Sequence, residues 1–147
     1  MTLMEMLVVI TIIGLIVAVA TPSVSAGIDS VRMASATDSV SAFLNAAVTH
    51  AERRQQPVLL VISAKQSKLE ALSNDPSFHP ELTLPDGIQL EDEELARSGQ
   101  SERRLVLMPG ATVPAISIQI ANQHGARRLI RLDPMTGFPR VQAVEPH

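Results

Sequence analysis

A single carboxylate, Glu5, lies at the start of an otherwise apolar N-terminal stretch. No other charged side chain occurs before Asp29, so residues 6–28 are uncharged. A carboxylate in or near hydrocarbon costs roughly 2.5–3.5 kcal/mol on insertion scales, and such a residue by default has a partner or a task. Its counter-charge could be the α-amine of Met1, on the same helix or on a neighbouring subunit, since an amine of pKa about 8 is largely protonated at neutral pH. Alternatively, Glu5 lies at headgroup depth and has no role.

The other residue types indicate no catalytic centre, no metal site and no cofactor, so we expect a protein that is not an enzyme. The chain has no Cys, which excludes a thiol nucleophile, a disulfide framework and a thiolate metal site. Its histidines lie far apart, without the spacing of metal ligands; they are His50, His79, His124 and His147. The acidic run at residues 91–94 could bind calcium, but consecutive carboxylates without a Gly-punctuated loop are more typical of a solvated run.

Four arginines cluster near the C-terminus, namely Arg127, Arg128, Arg131 and Arg140. They could contact the phosphates of a nucleic acid. Against this, the net charge is −3, and the three Phe with no Trp or Tyr leave few rings on which bases could stack. Charge pairs across neighbouring strands explain the arginines equally well. Nucleic acid is therefore not the partner we expect.

The stretch that positions Glu5 is long enough to cross a membrane. A bilayer core needs roughly 20 apolar residues in a helix, which satisfies its own backbone hydrogen bonds. Residues 7–19 are apolar on nearly every side, which disfavours the alternative of a buried core helix. No basic segment precedes them, so we do not expect a secretory signal peptide. We expect residues 1–28 to insert into lipid.

The helix has a weak region between Gly14 and Pro22. Pro22 has no N–H for the carbonyl of Ala18, and Gly14 lowers helix stability, so the region could kink or melt, or bend only mildly. Beyond it the helix is predicted to continue as an amphipathic half, residues 29–56, that packs on a domain and stops before Pro57. The apolar stripe beyond Pro22 comprises Val24, Ile28, Val31, Val40, Phe43, Leu44, Ala47, Val48 and Ala51.

Residues 57–147 have the composition of a β-rich domain. Strands are predicted at residues 58–62, 82–84, 88–90, 104–108, 116–120, 128–132 and 138–144, with a hairpin loop at 122–125. Residues 65–72 are ambiguous between helix and strand, and residues 91–101 are predicted to form an exposed loop. The expected fold class is α+β, with a long helix (residues 1–56) packed on a small antiparallel sheet or β-sandwich (residues 57–147).

The N-terminal segment resembles the mature N-terminus of the type IV pilin and pseudopilin superfamily. Glu5, Gly14 and Pro22 all occur at that family's spacing, although Met1 stands where the family usually has Phe. The domain adds Leu-Pro-Asp-Gly-Ile at residues 84–88 and a closing segment at 132–141. These are similar to the GspH and FimT group, which are minor pseudopilins of type II secretion and minor pilins of type IV pili.

The resemblance implies a pilin fold and a structural function. A prepilin peptidase would cut before Met1, whose amine would then be methylated. The subunit would wait in the inner membrane with its domain in the periplasm, and Glu5 would neutralise the amine of a neighbouring pseudopilin as the filament grows. The expected function is that of a minor pseudopilin that promotes export of folded proteins across the outer membrane. The alternatives are a FimT-like minor pilin in pilus assembly or DNA uptake and, less expected, a membrane-anchored periplasmic enzyme.

Overall fold

The computed structural model describes residues 2–144, except for the side chains of residues 21–25. As predicted, the fold class is α+β, with helices and two antiparallel sheets. In chain order the elements are α1 (Leu3–Arg54), β1 (Val58–Ser63), β2 (Lys68–Ser73), β3 (Glu81–Thr83), β4 (Ile88–Glu91), α2 (Glu93–Ser98), β5 (Glu102–Leu107), β6 (Ser117–Asn122), β7 (Arg127–Leu132) and β8 (Pro139–Val144). The chain divides into two compact units, Met1–Arg32 and Met33–His147.

The first unit contains only the N-terminal part of α1. Three residues of the predicted apolar stripe lie here, and the two whose side chains are described are exposed, Ile28 at 49% and Val31 at 69%. Ile28 belongs to the segment predicted to insert into lipid, and among the described side chains of α1 the first buried one is that of Met33. Val24, which belongs to the same stripe, lies among the residues whose side chains are not described.

The second half of α1 contributes one wall of the core of the second unit. Its buried residues recur at helical steps of three and four, as predicted; they are Met33, Ala36, Thr37, Val40, Phe43, Leu44, Ala47 and Ala51. The helix ends at Arg54, three residues before Pro57 and close to the predicted stop. Gln55 adopts a left-handed conformation (φ 51°), and the amide of Gln56 donates to the carbonyl of Ala51 at 3.3 Å, which closes the last turn.

The first sheet has the strand order β3-β2-β1-β5, and every neighbouring pair is antiparallel. Leu60 and Ile62 of the central strand β1 are fully buried in the core. The ambiguous residues 65–72 form a turn and then β2. That turn contains Ser67 at φ 48°, whose amide donates to the carbonyl of Ala64 at 3.1 Å. Tertiary pairing with β1 thus decides between the two local possibilities.

The second sheet has the order β4-β6-β7-β8, again antiparallel throughout. Its inner face buries Ile118, Ile120, Ile130 and Leu132 completely. The predicted hairpin loop at 122–125 is confirmed, because the Asn122 carboxamide oxygen accepts from the amides of residues 124 and 126 at 3.1 and 2.8 Å. The core joins the inner faces of both sheets to the second half of α1.

Residues 91–101 are not the exposed loop that the sequence predicts. They contain α2, whose N-cap is Asp92; its carboxylate accepts from the amides of Glu94 and Leu95 at 2.8 and 3.2 Å. Gly99 closes the helix in a left-handed conformation. Leu95 is buried against the core, so capping at the N-terminus and one apolar anchor suffice to order the segment.

Candidate assembly site in the N-terminal helix

Glu5 forms a capping box with Thr2 at the start of α1. The amide of Glu5 donates to the Thr2 side-chain oxygen at 3.3 Å, and the amide of Thr2 donates to Glu5 Oε2 at 3.4 Å. The Thr2 amide thereby gains an acceptor, and the Glu5 amide shares its hydrogen bond between the Thr2 side chain and the Thr2 carbonyl, which lies at 3.1 Å. Thr-x-x-Glu is itself a sequence signature of this motif, so Thr2 could have been predicted as the partner of Glu5.

The capping box satisfies backbone amides but supplies no counter-charge for Glu5. The side chain is exposed, and the first cationic side chain in the sequence is Arg32. Met1 lies outside the described residues. The predicted pairing of Glu5 with an N-terminal amine therefore stays a prediction.

The apolar helix that follows Glu5 is uncovered. Along Leu3–Ala20, long and apolar enough to cross a membrane, no residue is buried in the structure. The side chains of Leu15 and Val19, for example, are 69% and 68% exposed. This argues against the buried core helix. By length and composition, the segment could be a membrane anchor or a signal sequence.

The helix is continuous through the predicted weak region. Residues 3–54 are helical without interruption, including Gly14 and Pro22. A Cβ added at Gly14 would meet nothing within 4 Å, so no contact with the described part of the chain requires glycine there. The side chain of Pro22 is not described, and the predicted kink or melting in a filament stays a prediction.

The four C-terminal arginines are divided between the two faces of the second sheet. Arg127, Arg131 and Arg140 share the outer face, where Arg131 lies directly opposite Arg140. Arg128 is on the inner face, opposite Ile120 and Ala143. The outer face therefore gathers three of the four predicted residues.

Two of the outer-face arginines have acidic partners. Arg127 Nε lies 3.5 Å from a carboxylate oxygen of Glu91, and Arg140 Nη2 lies 2.9 Å from Asp133 Oδ2. Among residues 2–144, neither Arg128 nor Arg131 forms an ion pair. Pairing with acids within the domain thus accounts for two of the four cations.

Asp133 is the anchor of the turn between β7 and β8. Its carboxylate accepts from the amides of Met135 and Thr136 at 2.9 and 3.3 Å. These two hydrogen bonds, reinforced by the charge of Arg140, lower the pKa of Asp133 below its ordinary value of 3.8. The turn is therefore stabilised by an ionised carboxylate.

The acidic run at residues 91–94 is engaged within the protein. Asp92 is 6% exposed and lies 3.3 Å from Arg103, which also contacts Glu94 at 2.5 Å. Glu93 pairs with Arg97 one helical turn later, at 3.2 Å. Each of these carboxylates thus faces a guanidinium, and among residues 2–144 no three His, Asp or Glu side chains form a group that could hold a metal ion.

The described histidines have separate surroundings. The His50 ring stacks on Phe78 with centroids 3.7 Å apart, and His79 Nε2 lies 3.7 Å from a carboxylate oxygen of Glu81. His124 lies in the β6–β7 hairpin loop, and His147 is outside the described residues. They contribute no common site.

Comparison with known proteins gives no family for this chain. No family model matches it, and neither the curated proteins nor the solved structures include a significant match.

Proposed function

We propose that the chain is a pilin-like filament subunit, most similar to the minor pseudopilins of type II secretion. The observation that carries this proposal is the uncovered helix Leu3–Ala20. Leaving one large aliphatic side chain in water costs about 1.5–3 kcal/mol relative to burying it, and this helix presents more than a dozen apolar side chains. Lipid before assembly, and other subunits afterwards, would cover this surface.

Glu5 supports an assembly role because its charge and its capping function are separable. The capping box needs only an acceptor, whereas a negative charge at the apolar end of the helix needs a cation. No cationic side chain precedes Arg32, so the amine of a neighbouring subunit is the proposed partner. Transfer from lipid into the filament then replaces an unpaired charge with an ion pair.

The rest of the chain has a structural role in this proposal. The prepilin peptidase exposes the amine of Met1, the subunit waits in the inner membrane with its domain in the periplasm, and the region from Gly14 to Pro22 adapts as the filament forms. The described α+β domain takes the place of the pilin globular domain on the filament surface. The protein is proposed to have no enzymatic activity and no cofactor, and to promote export of folded proteins.

Three variants test this function by separating charge from capping. Glu5→Gln keeps an acceptor for the Thr2 amide but removes the charge, Glu5→Ala removes both, and Thr2→Ala removes only the other half of the box. The measurement is the share of the chain in sheared filaments, in cells that carry the surrounding assembly genes. We expect both Glu5 variants to lose at least tenfold in incorporation while remaining membrane-bound, and Thr2→Ala to stay within about twofold of wild type.

The opposite ranking would contradict the proposal. If Glu5→Gln enters filaments as wild type does, the charge has no docking role. If Thr2→Ala fails as completely as Glu5→Ala, helix capping alone explains the effect.

A FimT-like minor pilin in DNA uptake is a second candidate. It is favoured by Arg131, which lies on the outer face between Arg127 and Arg140 and forms no ion pair among residues 2–144. A gel-shift assay of the full chain in detergent, repeated over a salt series, tests it. Binding that weakens steeply with salt would favour this candidate, since displaced counterions set the slope.

A further inference from the structure

The last strand, β8, is an edge strand that the domain leaves largely uncovered. It pairs with β7 on one side, and no strand among residues 2–144 pairs on the other. Four consecutive residues, 140–143, are exposed, although successive side chains point to opposite faces. Solvent therefore reaches both faces of β8, as well as its unpaired edge.

At this edge, a row of apolar side chains that crosses β6, β7 and β8 ends at a residue exposed to solvent. Ile118 of β6 lies opposite Ile130 of β7, which lies opposite Val141 of β8. The first two are fully buried, whereas Val141 is 43% exposed. Phe138, just before the strand, is 63% exposed. An added strand that placed an aliphatic residue beside Val141 would extend this row and remove apolar surface from water.

The outer face of the same edge has excess positive charge. Arg131 and Arg140 are directly opposite each other, an arrangement that is unfavourable unless an anion intervenes. Asp133 neutralises only Arg140. Arg131 also lines an open groove of about 640 Å³ together with Leu129, Val144 and the four acidic residues 91–94. Those four carboxylates are already paired with Arg97, Arg103 or Arg127, so among residues 2–144 the guanidinium of Arg131 is left for an acidic side chain from another segment.

We propose that the β8 edge binds an extended peptide segment in which acidic and aliphatic residues alternate. The pleat determines this pattern, because a strand added at β8 places alternate side chains beside Arg140 on one face and beside Val141 on the other. Acidic residues match the first face and aliphatic residues the second. Two copies of β8 would bring like charges together, so self-pairing of this edge is disfavoured. The proposal does not depend on the filament function.

The test measures binding of a defined peptide to the full chain in detergent micelles. The probe is a fluorescein-labelled, acetylated heptapeptide of alternating Glu and Val, and the control peptide has Lys in place of Glu. Fluorescence anisotropy gives the Kd, and amide hydrogen exchange locates the contact. We expect the acidic peptide to bind at least tenfold more tightly than the basic one and to protect amides of residues 139–144.

Matched variants assign the contact to this edge. Arg131→Glu and Val141→Asp are each expected to weaken binding at least tenfold. Arg104→Glu, at an exposed position on β5 at the edge of the other sheet, is expected to leave the Kd within about twofold. Thermal unfolding of each variant shows that the fold is retained, and Arg131→Glu is not expected to disturb it because the new carboxylate faces Arg140.

Any of four results would overturn the proposal. Equal binding of the two peptides, or unchanged binding by Arg131→Glu and Val141→Asp, would show that the edge does not select an acidic strand. A single-stranded oligonucleotide that binds more tightly than the acidic peptide and is released by Arg131→Glu would assign the surface to nucleic acid. A dimer in sedimentation that Val141→Asp dissociates would assign it to a second copy.

Discussion

Glu5 has one observed role, capping the helix within its own chain, and one proposed role, pairing with another subunit. Its side chain accepts from the Thr2 amide, which stabilises the first turn of α1. No cationic side chain precedes Arg32, so the proposed ion pair is with an N-terminal amine. At the residue scale, Glu5→Gln is therefore the informative variant, because it removes the charge and keeps a hydrogen-bond acceptor.

Gly137 is required by both its backbone and its surroundings. Its φ is +70°, and a Cβ added there would lie 3.0 Å from Val48 Cγ1. Gly137→Ala is expected to destabilise the domain by about 1–3 kcal/mol, because strain and the contact add. Urea denaturation measures it, and Gly110→Ala is the control, since Gly110 has φ +68° but nothing within 4 Å of its Cβ. Equal losses for the two variants would show that the contact with Val48 contributes nothing.

Asp133 is expected to contribute to acid stability. Its pKa is lowered in the folded protein, so the stabilisation is fully present above the ordinary value of 3.8 and is lost as pH falls through the folded pKa. Asp133→Asn keeps an acceptor for the turn amides but removes the charge. The wild type should be more stable than this variant at neutral pH, and the difference should shrink below about pH 4. Thermal unfolding over this pH range measures it, and a gap that does not change with pH would contradict the assignment.

At the scale of elements, local patterns predict those that have long or repeated signals. The run at residues 58–62, the alternating isoleucines of β6 and the Asn122 turn each predict what the structure contains. A six-residue helix such as α2 has too few turns to show a helical period of apolar residues. In the sequence, only its capping residues Asp92 and Gly99 indicate it. Strand β2 is defined by pairing with β1, which no local pattern contains.

Helix α2 is held by Asp92, which caps it and pairs with Arg103. Asp92→Ala is expected to cost about 2–3 kcal/mol, because it removes the cap and one partner of a largely buried arginine. Asp92→Asn keeps the capping acceptor and is expected to cost about 1 kcal/mol. Urea denaturation of both variants gives the values. If both cost the same, capping is not a separate contribution.

At the scale of the whole molecule, we expect the second compact unit to fold without the first 28 residues. The buried core begins at Met33, so removal of residues 1–28 leaves its apolar contacts intact. The shortened chain is expected to be water-soluble and to unfold within a few degrees of the full chain in detergent. Circular dichroism during heating measures this. A shortened chain that aggregates or loses its β signal would show that the first unit is needed for folding.

The candidate site is only partly predictable from one sequence. The positions of Glu5, Gly14 and Pro22 come from spacing and resemblance, and the structure adds the capping box and the uncovered helix. The proposed cover of that helix is lipid and other chains, which a single polypeptide does not contain. The grouping of the arginines could not be predicted either. Strand register decides which of them lie on the same face of the sheet.

Cross-linking through a single cysteine tests the central claim most directly. The chain has no Cys, so Ile10→Cys, in the middle of the uncovered helix, introduces the only thiol. We predict that oxidation or a bifunctional maleimide links this position to other subunits in the assembled fraction, and that Glu5→Gln abolishes the links. A water-soluble monomer in which this cysteine resists a water-soluble maleimide until the protein is denatured would contradict the account.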